Sequence, residues 1–350
     1  MTTQTIPALA ETDIIRRVAG LRPCRAGGLR LERDALATPR GRIEVVHNYG
    51  HGGCGVTLGP GTAEVAADLV EQATSSAHAQ APVLVLGAGV VGLTTALELL
   101  NRGYPVTVAA ERTDVSTTSN IAGALWLPTG IDFPEPGPGR DRFNAILARA
   151  FELFTQMDAQ RWGIERLPVI EPESAPFHAE YFEHGAFSEP TPIDAMPVPG
   201  PHQGERGKRF DPLFIHTPRF LTELRRTCQT LMDTQGGRFV RARAHAPDDL
   251  IDLAKAARAS VVVNALGLGS KTLFNDDNMY PARGLLVHAA PCPLGMVIHN
   301  GYRYCFPRED ALVLGGCFEP GETDLDTDSP ALRARFDEIL NHHRRFFGVD

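Results

Sequence analysis

The sequence predicts an α/β fold: a doubly wound, mostly parallel sheet joined to a second, antiparallel sheet. Three observations predict it. Val83–Leu86 is a continuous apolar run, as buried parallel strands are, and it leads through a glycine-rich turn into a helical stretch. The segment 257–270, "ARASVVVNALGLGS", repeats the pattern of apolar run and glycine loop. Segment 295–306, "GMVIHNGYRYCF", reads as two strands around Asn300-Gly301, a strong hairpin signal.

The chain elements follow in order. "DIIRRVAGLRP" (13–23) reads as a strand. "VVHNYGHGGCGVT" (45–57) is an apolar run opening into a glycine and histidine loop, placed ahead of what should be the first strand. Residues 58–71 read as a helix with glycine and proline at its mouth, and 72–82, "QATSSAHAQAP", as a linker. After Val83–Leu86 comes a helix over 91–101, closed by Gly103, and a strand over 105–110. Residues 132–211 are rich in proline and carry one clear helix, 141–160; another helix covers 219–233. Segment 311–318, "ALVLGGCF", adds a strand and 331–347 a last helix.

Bulk composition excludes several classes. At 350 residues the chain is long enough for about two domains. A net charge of −8 with scattered basic residues opposes nucleic-acid binding. No run of 18 apolar residues is present to span a membrane. The opening "MTTQTIPALAETD" lacks a secretion-signal layout, and six cysteines without metal-like spacing read as reduced thiols, so a cytoplasmic location is expected.

The motif Gly87-Ala88-Gly89-Val90-Val91-Gly92 follows a strand and opens a helix. Its first glycine permits the tight turn, the second a close approach of pyrophosphate, the third close helix–strand packing. The helix N-terminus offers unpaired N–H groups to phosphate. Glu111, at the end of the next strand, suits ribose hydroxyls. An ordinary tight turn with a surface glutamate is the alternative, and the motif alone does not separate NAD from FAD.

From this fingerprint onward the chain resembles the D-amino-acid oxidase family of flavoproteins. "VLVLGAGVVGLTTALELL", "VTVAAERT", "STTSNIAGALWLP", "FIHTPRFLTEL", "VVVNALGLGS", "PARG", "YCFPR" and "LVLGG" follow in that family's order. The family then continues with an arginine motif and closes with a histidine-glycine loop and a helix. Here those parts come first, as "GLRPCRAGGLRLERD" (20–34) and "VVHNYGHGGCGVT". The resemblance therefore implies the family's Rossmann-like FAD-binding domain and antiparallel substrate domain in circularly permuted order, with 72–82 joining the family's old termini. It places the FAD-binding domain at 33–127 and 214–280, and the substrate domain at 1–32, 128–213 and 281–350.

The resemblance implies non-covalent FAD and oxidative deamination of a D-amino acid, by hydride transfer from the substrate Cα, with molecular oxygen reduced to hydrogen peroxide. An oxidase or dehydrogenase of an amino-acid-like or cyclic secondary amine is the second expectation; a flavin protein without turnover is the third. A homodimer is one expected assembly. Arg22 matches the substrate-carboxylate arginine, where a planar guanidinium gives two parallel hydrogen bonds. Tyr304 matches a pocket tyrosine on the same carboxylate. Gly52 and Gly53 match the loop at the flavin, with the Gly53 carbonyl expected to meet the substrate amine. Cys54, Gly55, Val56 and Thr57 continue that loop into a helix N-terminus, whose positive end favours charge on reduced flavin. Glu111, Arg112, Thr117, Thr118, Ala124, Leu125 and Ala244 match further cofactor contacts.

The chain departs from the family at several points. Leu127 follows Trp126 where the family has glutamine, and Cys54 replaces an aromatic residue. A tight Asn300-Gly301 turn replaces a longer lid carrying a second tyrosine. With that turn, His299 would face Tyr302, and alternation would put Tyr302 on the face of Tyr304. Either Tyr302 or His299 is expected to replace the missing tyrosine, or both sit at the rim in solvent. Cys305 is expected to point away from the pocket.

Overall fold

The computed structural model describes residues 6–74, 81–112, 117–123 and 125–349. Ala124 and most of the linker (75–80) lie outside the described residues.

One six-stranded sheet is organised around the fingerprint. Its order is Arg238–Arg241, Val106–Ala110, Val83–Leu86, Val261–Asn264, Gly41–Tyr49 and Arg30–Thr38. All neighbours are parallel except the last pair. The central strands Val83–Leu86 and Val261–Asn264 are buried throughout, which is why they read as unbroken apolar runs. The early segment Gly41–Tyr49 lies beside them, with Val45 in register with Val262. Helix Gly55–Thr74 leaves that strand and packs on Val90–Asn101. It begins three residues before the predicted start and contains Pro60.

The second sheet is nine-stranded. Its main path runs Ile14–Arg25, Met279–Ala289, Leu312–Gly315, Arg303–Pro307, Val297–Asn300, Val169–Pro172, Gly207–Phe210 and Thr191–Ile193, with Glu319–Pro320 added beside Met279–Ala289. The helix Pro330–Phe347 packs against it through Phe336, Ile339 and Leu340 and ends at Gly348, φ 65°. Arg344 of that helix donates twice to the carbonyl of Leu9, at 2.7 and 3.1 Å. The first and last described segments therefore share one core. No helix among the described residues is long and apolar enough to cross a membrane.

The hairpin differs from the expected register. Asn300 pairs with Arg303, so Gly301 and Tyr302 form the turn and His299 faces Tyr304. Gly301 has φ 61°. A turn with glycine first matches the right-handed strand twist as Asn-Gly would, and it keeps the buried Ile298 and Cys305 opposite one another.

Candidate active site

One cavity of about 960 Å³ runs from the fingerprint to the antiparallel sheet. Its nucleotide end is made largely of backbone. A side chain on Gly87, at φ 103°, would collide with the carbonyl of Ala265, and one on Gly92 with the carbonyl of Gly87. Gly92 therefore packs the helix on the strand and does not line the cavity. Gly87, Ala88, Gly89, Val90 and Val91 do line it. Gly89 begins the helix with no side-chain cap, and a Cβ there would meet nothing closer than Ser119 Oγ at 3.4 Å. The Val90 N–H donates to that hydroxyl at 3.2 Å. Apart from that hydroxyl the helix start carries no side-chain cap, and open space there fits a pyrophosphate. Glu111, Arg112, Thr117, Thr118, Leu125 and Ala244 also line the cavity. Arg243 donates to Glu111 at 3.2 Å.

The glycine loop closes the middle of the cavity. Gly52, at φ 54°, and Gly53 lie so close to the 129–130 backbone that a side chain on either would overlap a carbonyl. The Gly53 N–H donates to Gly130 O at 2.9 Å. Gly55, Val56 and Thr57 line the cavity, and Thr57 Oγ1 donates to the Leu127 carbonyl at 3.4 Å. Cys54 corrects an expectation. Its thiol is wholly buried, donates to Thr129 O at 3.0 Å and does not line the cavity. Burial raises its pKa far above the ordinary thiol value. The position anchors the loop to the core and offers the cofactor no side chain. None of the six buried cysteines lines the cavity; Cys305 packs in the core beneath the sheet.

The end at the antiparallel sheet is made of side chains. Arg22 lies half-buried, with Nη1 donating to the carbonyls of Cys317 (3.1 Å) and Arg283 (3.3 Å). No carboxylate among the described residues pairs with it, whereas its neighbour Arg283 is held by Glu319 at 2.7 Å. The rings of Phe318 and Tyr302 stand 5.6 and 6.0 Å from its guanidinium carbon and stack on each other at 5.3 Å. Gly284 makes room: a side chain there would overlap the guanidinium. Gly315 likewise lies under the ring of Tyr304, which stacks on Phe306 at 4.1 Å. Burial raises the Tyr304 pKa, opposed by Arg22, so its hydroxyl keeps its proton as a donor. Tyr302 is at the mouth, 41% exposed but against Phe318, and His299 is buried. Both line the cavity with Tyr304.

Two residues here were missed by sequence reasoning. Phe318 sits directly after the recognised "LVLGG" and Cys317, and its aromatic type beside a glycine pair was the available signal. Glu171 lies in "LPVIEP", a short β-branched run between prolines.

Comparison with known proteins gives the family. A family model described as FAD dependent oxidoreductase matches residues 2–69 and 82–349. The chain belongs to that family, and FAD is its cofactor. Among individual proteins it is similar to the D-amino-acid oxidase of Rubrobacter xylanophilus, 29% identical over 262 residues, covering 73% of this chain and 74% of the relative. The D-amino-acid oxidase of Streptomyces coelicolor is 28% identical (70% and 72%), and human D-aspartate oxidase 25% identical (75% and 74%). Among solved structures, glycine oxidase from Bacillus cereus ATCC 14579 aligns with a TM-score of 0.48 at 15% identity, over 76% of this chain and 77% of that one.

Proposed function

We propose that this oxidoreductase deaminates a D-amino acid: substrate, water and oxygen give a 2-oxo acid, ammonia and hydrogen peroxide. The observation that carries the reading is Arg22, half-buried without an acidic partner, at one end of a cavity whose other end is a pyrophosphate cradle. An unpaired guanidinium in such a site needs an anion, and a carboxylate matches its two parallel N–H groups.

Arg22 binds the substrate carboxylate and Tyr304 donates a second hydrogen bond to it. Phe318 and Tyr302 cover the guanidinium, exclude water and fix its plane. Gly52 and Gly53 line the cavity, and the loop backbone there receives the substrate amine. These contacts orient the Cα–H, an entropic contribution made before the chemical step. FAD, when bound, supplies the acceptor for the hydride. No side-chain base is required once the amine is neutral. Support for the D-configuration comes from the names of the relatives. The circular order is proposed on the same footing, supported by the shared core of Leu9 and Arg344 and by a family match interrupted only at 70–81.

Mixing the purified flavoprotein anaerobically with D- and L-amino acids, then admitting air, tests the reading. Bleaching by D-acids alone, with peroxide on aeration, is expected. Bleaching by L-acids alone, or by neither series, contradicts it.

A further inference from the structure

The cavity holds a carboxylate and an imidazole that the proposed reaction does not use. Glu171 and His299 are both buried, and Glu171 Oε1 lies 2.6 Å from His299 Nδ1. Both residues line the cavity. Among the described residues, the second oxygen of Glu171 accepts no hydrogen bond and His299 Nε2 makes none, yet neither is among the polar atoms sealed in the core without a partner. Glu171 thus keeps one carboxylate oxygen open to a donor from the cavity.

Sheet topology fixes the reach of this pair. His299 is directly opposite Tyr304, so the two share a face. The strand of Glu171 is the next one along. Two strand steps of about 4.8 Å put Glu171 roughly 10 Å across the sheet from the strand of Tyr304. Phe182 and Phe210, edge to face at 5.4 Å, line the cavity too. Only one other carboxylate lines the cavity among the described residues, Glu111, and Arg243 engages it at the nucleotide end.

A buried carboxylate with a free oxygen beside aromatic faces suits a cation and opposes a second carboxylate. We propose that Glu171 and His299 form the side-chain subsite, which selects amino acids whose side chain ends in an ammonium or guanidinium group. The inference rests on Arg22 holding the substrate carboxylate at the other end.

Non-reacting carboxylates test it without turnover. The flavin absorbance of the holoenzyme is titrated with 5-guanidinopentanoate, hexanoate and adipate, with calorimetry as a second readout. The guanidino acid is expected to bind at least about tenfold more tightly than hexanoate, with adipate weakest. Glu171→Gln removes that preference and leaves hexanoate unchanged. Equal binding of guanidino acid and hexanoate, tighter binding of adipate, an unaltered preference in Glu171→Gln, or no binding of any carboxylate overturns the inference. If the variant does not fold, the wild-type series decides alone. Carboxylate binding with this preference, but no bleaching by any D-amino acid, would defeat the proposed oxidation and leave the subsite standing.

Discussion

The two ends of the cavity are built from different material. The nucleotide end is backbone: Gly87, where a Cβ does not fit, and Gly89, which leaves space open at a helix start. The substrate end is side chain: Arg22, Tyr304, His299 and Glu171 line it from four separate segments, and Phe318 backs Arg22. A backbone cradle suits a cofactor that does not vary, because its contacts do not depend on side-chain identity. Side chains gathered from separate strands can change one at a time, and that is where selectivity is built.

Glycine substitutions should break this contrast most visibly. Gly92→Ala forces a methyl against the Gly87 carbonyl, so the flavin-free protein should lose about 1–3 kcal/mol and flavin retention should fall with it. Gly89→Ala meets nothing closer than Ser119 Oγ, so the flavin-free protein should keep its stability within about 0.5 kcal/mol while its FAD content falls. Thermal melts of apoprotein beside the flavin-to-protein absorbance ratio separate the two cases. Equal stability of both variants would remove the distinction between packing glycine and ligand-facing glycine.

A smaller effect belongs to the substrate end. Phe318→Ala takes away one face of the Arg22 guanidinium and the stack on Tyr302. KM should rise up to about tenfold with kcat less affected, since the loss is of ground-state positioning. Steady-state kinetics would show it, and an unchanged KM would dissociate Phe318 from the clamp.

The smallest effect per residue belongs to buried histidines in both sheets' surroundings. His51, beneath the glycine loop, is held to a pKa of about 4 by burial; His343, which reaches the carbonyl of Gly315 at 2.8 Å, and His288 are pushed down to about 3. Unfolded imidazoles take up protons near pH 6.5. The stability is therefore fully present above that value and falls as pH drops from about 6.5 towards 4. At pH 5.5 the loss is about 1 kcal/mol per buried histidine. Thermal melts at pH 7.5 and 5.5 check this, and equal melting temperatures would contradict it.

The same contrast explains what could be read from the sequence. Gly87 to Gly92 and the strand before them are contiguous, so spacing alone places them at a nucleotide end. Arg22 and Tyr304 were found through resemblance to a family, because no local pattern joins two residues 282 positions apart. An Asn-Gly turn, the stronger signal, sets His299 opposite Tyr302; pairing of the buried Ile298 with Cys305 moves the turn on by one residue and the partner of His299 by two, to Tyr304. Cys54 carried no signal for facing inward, because loop direction is set by the contact with Thr129. Glu171 could not be read as part of the site: its partner His299 is 128 residues away and meets it only through a parallel pairing of two short strands.

The central claim is that Arg22 presents a carboxylate substrate to FAD held in the same cavity. Anaerobic titration of wild type and Arg22→Met with a bleaching D-amino acid, followed at the flavin absorbance, tests it most directly. The account predicts that the variant retains FAD but is reduced about a thousandfold less efficiently, in line with truncating one partner of a buried charge pair. Reduction of Arg22→Met at the wild-type rate and substrate concentration would contradict it.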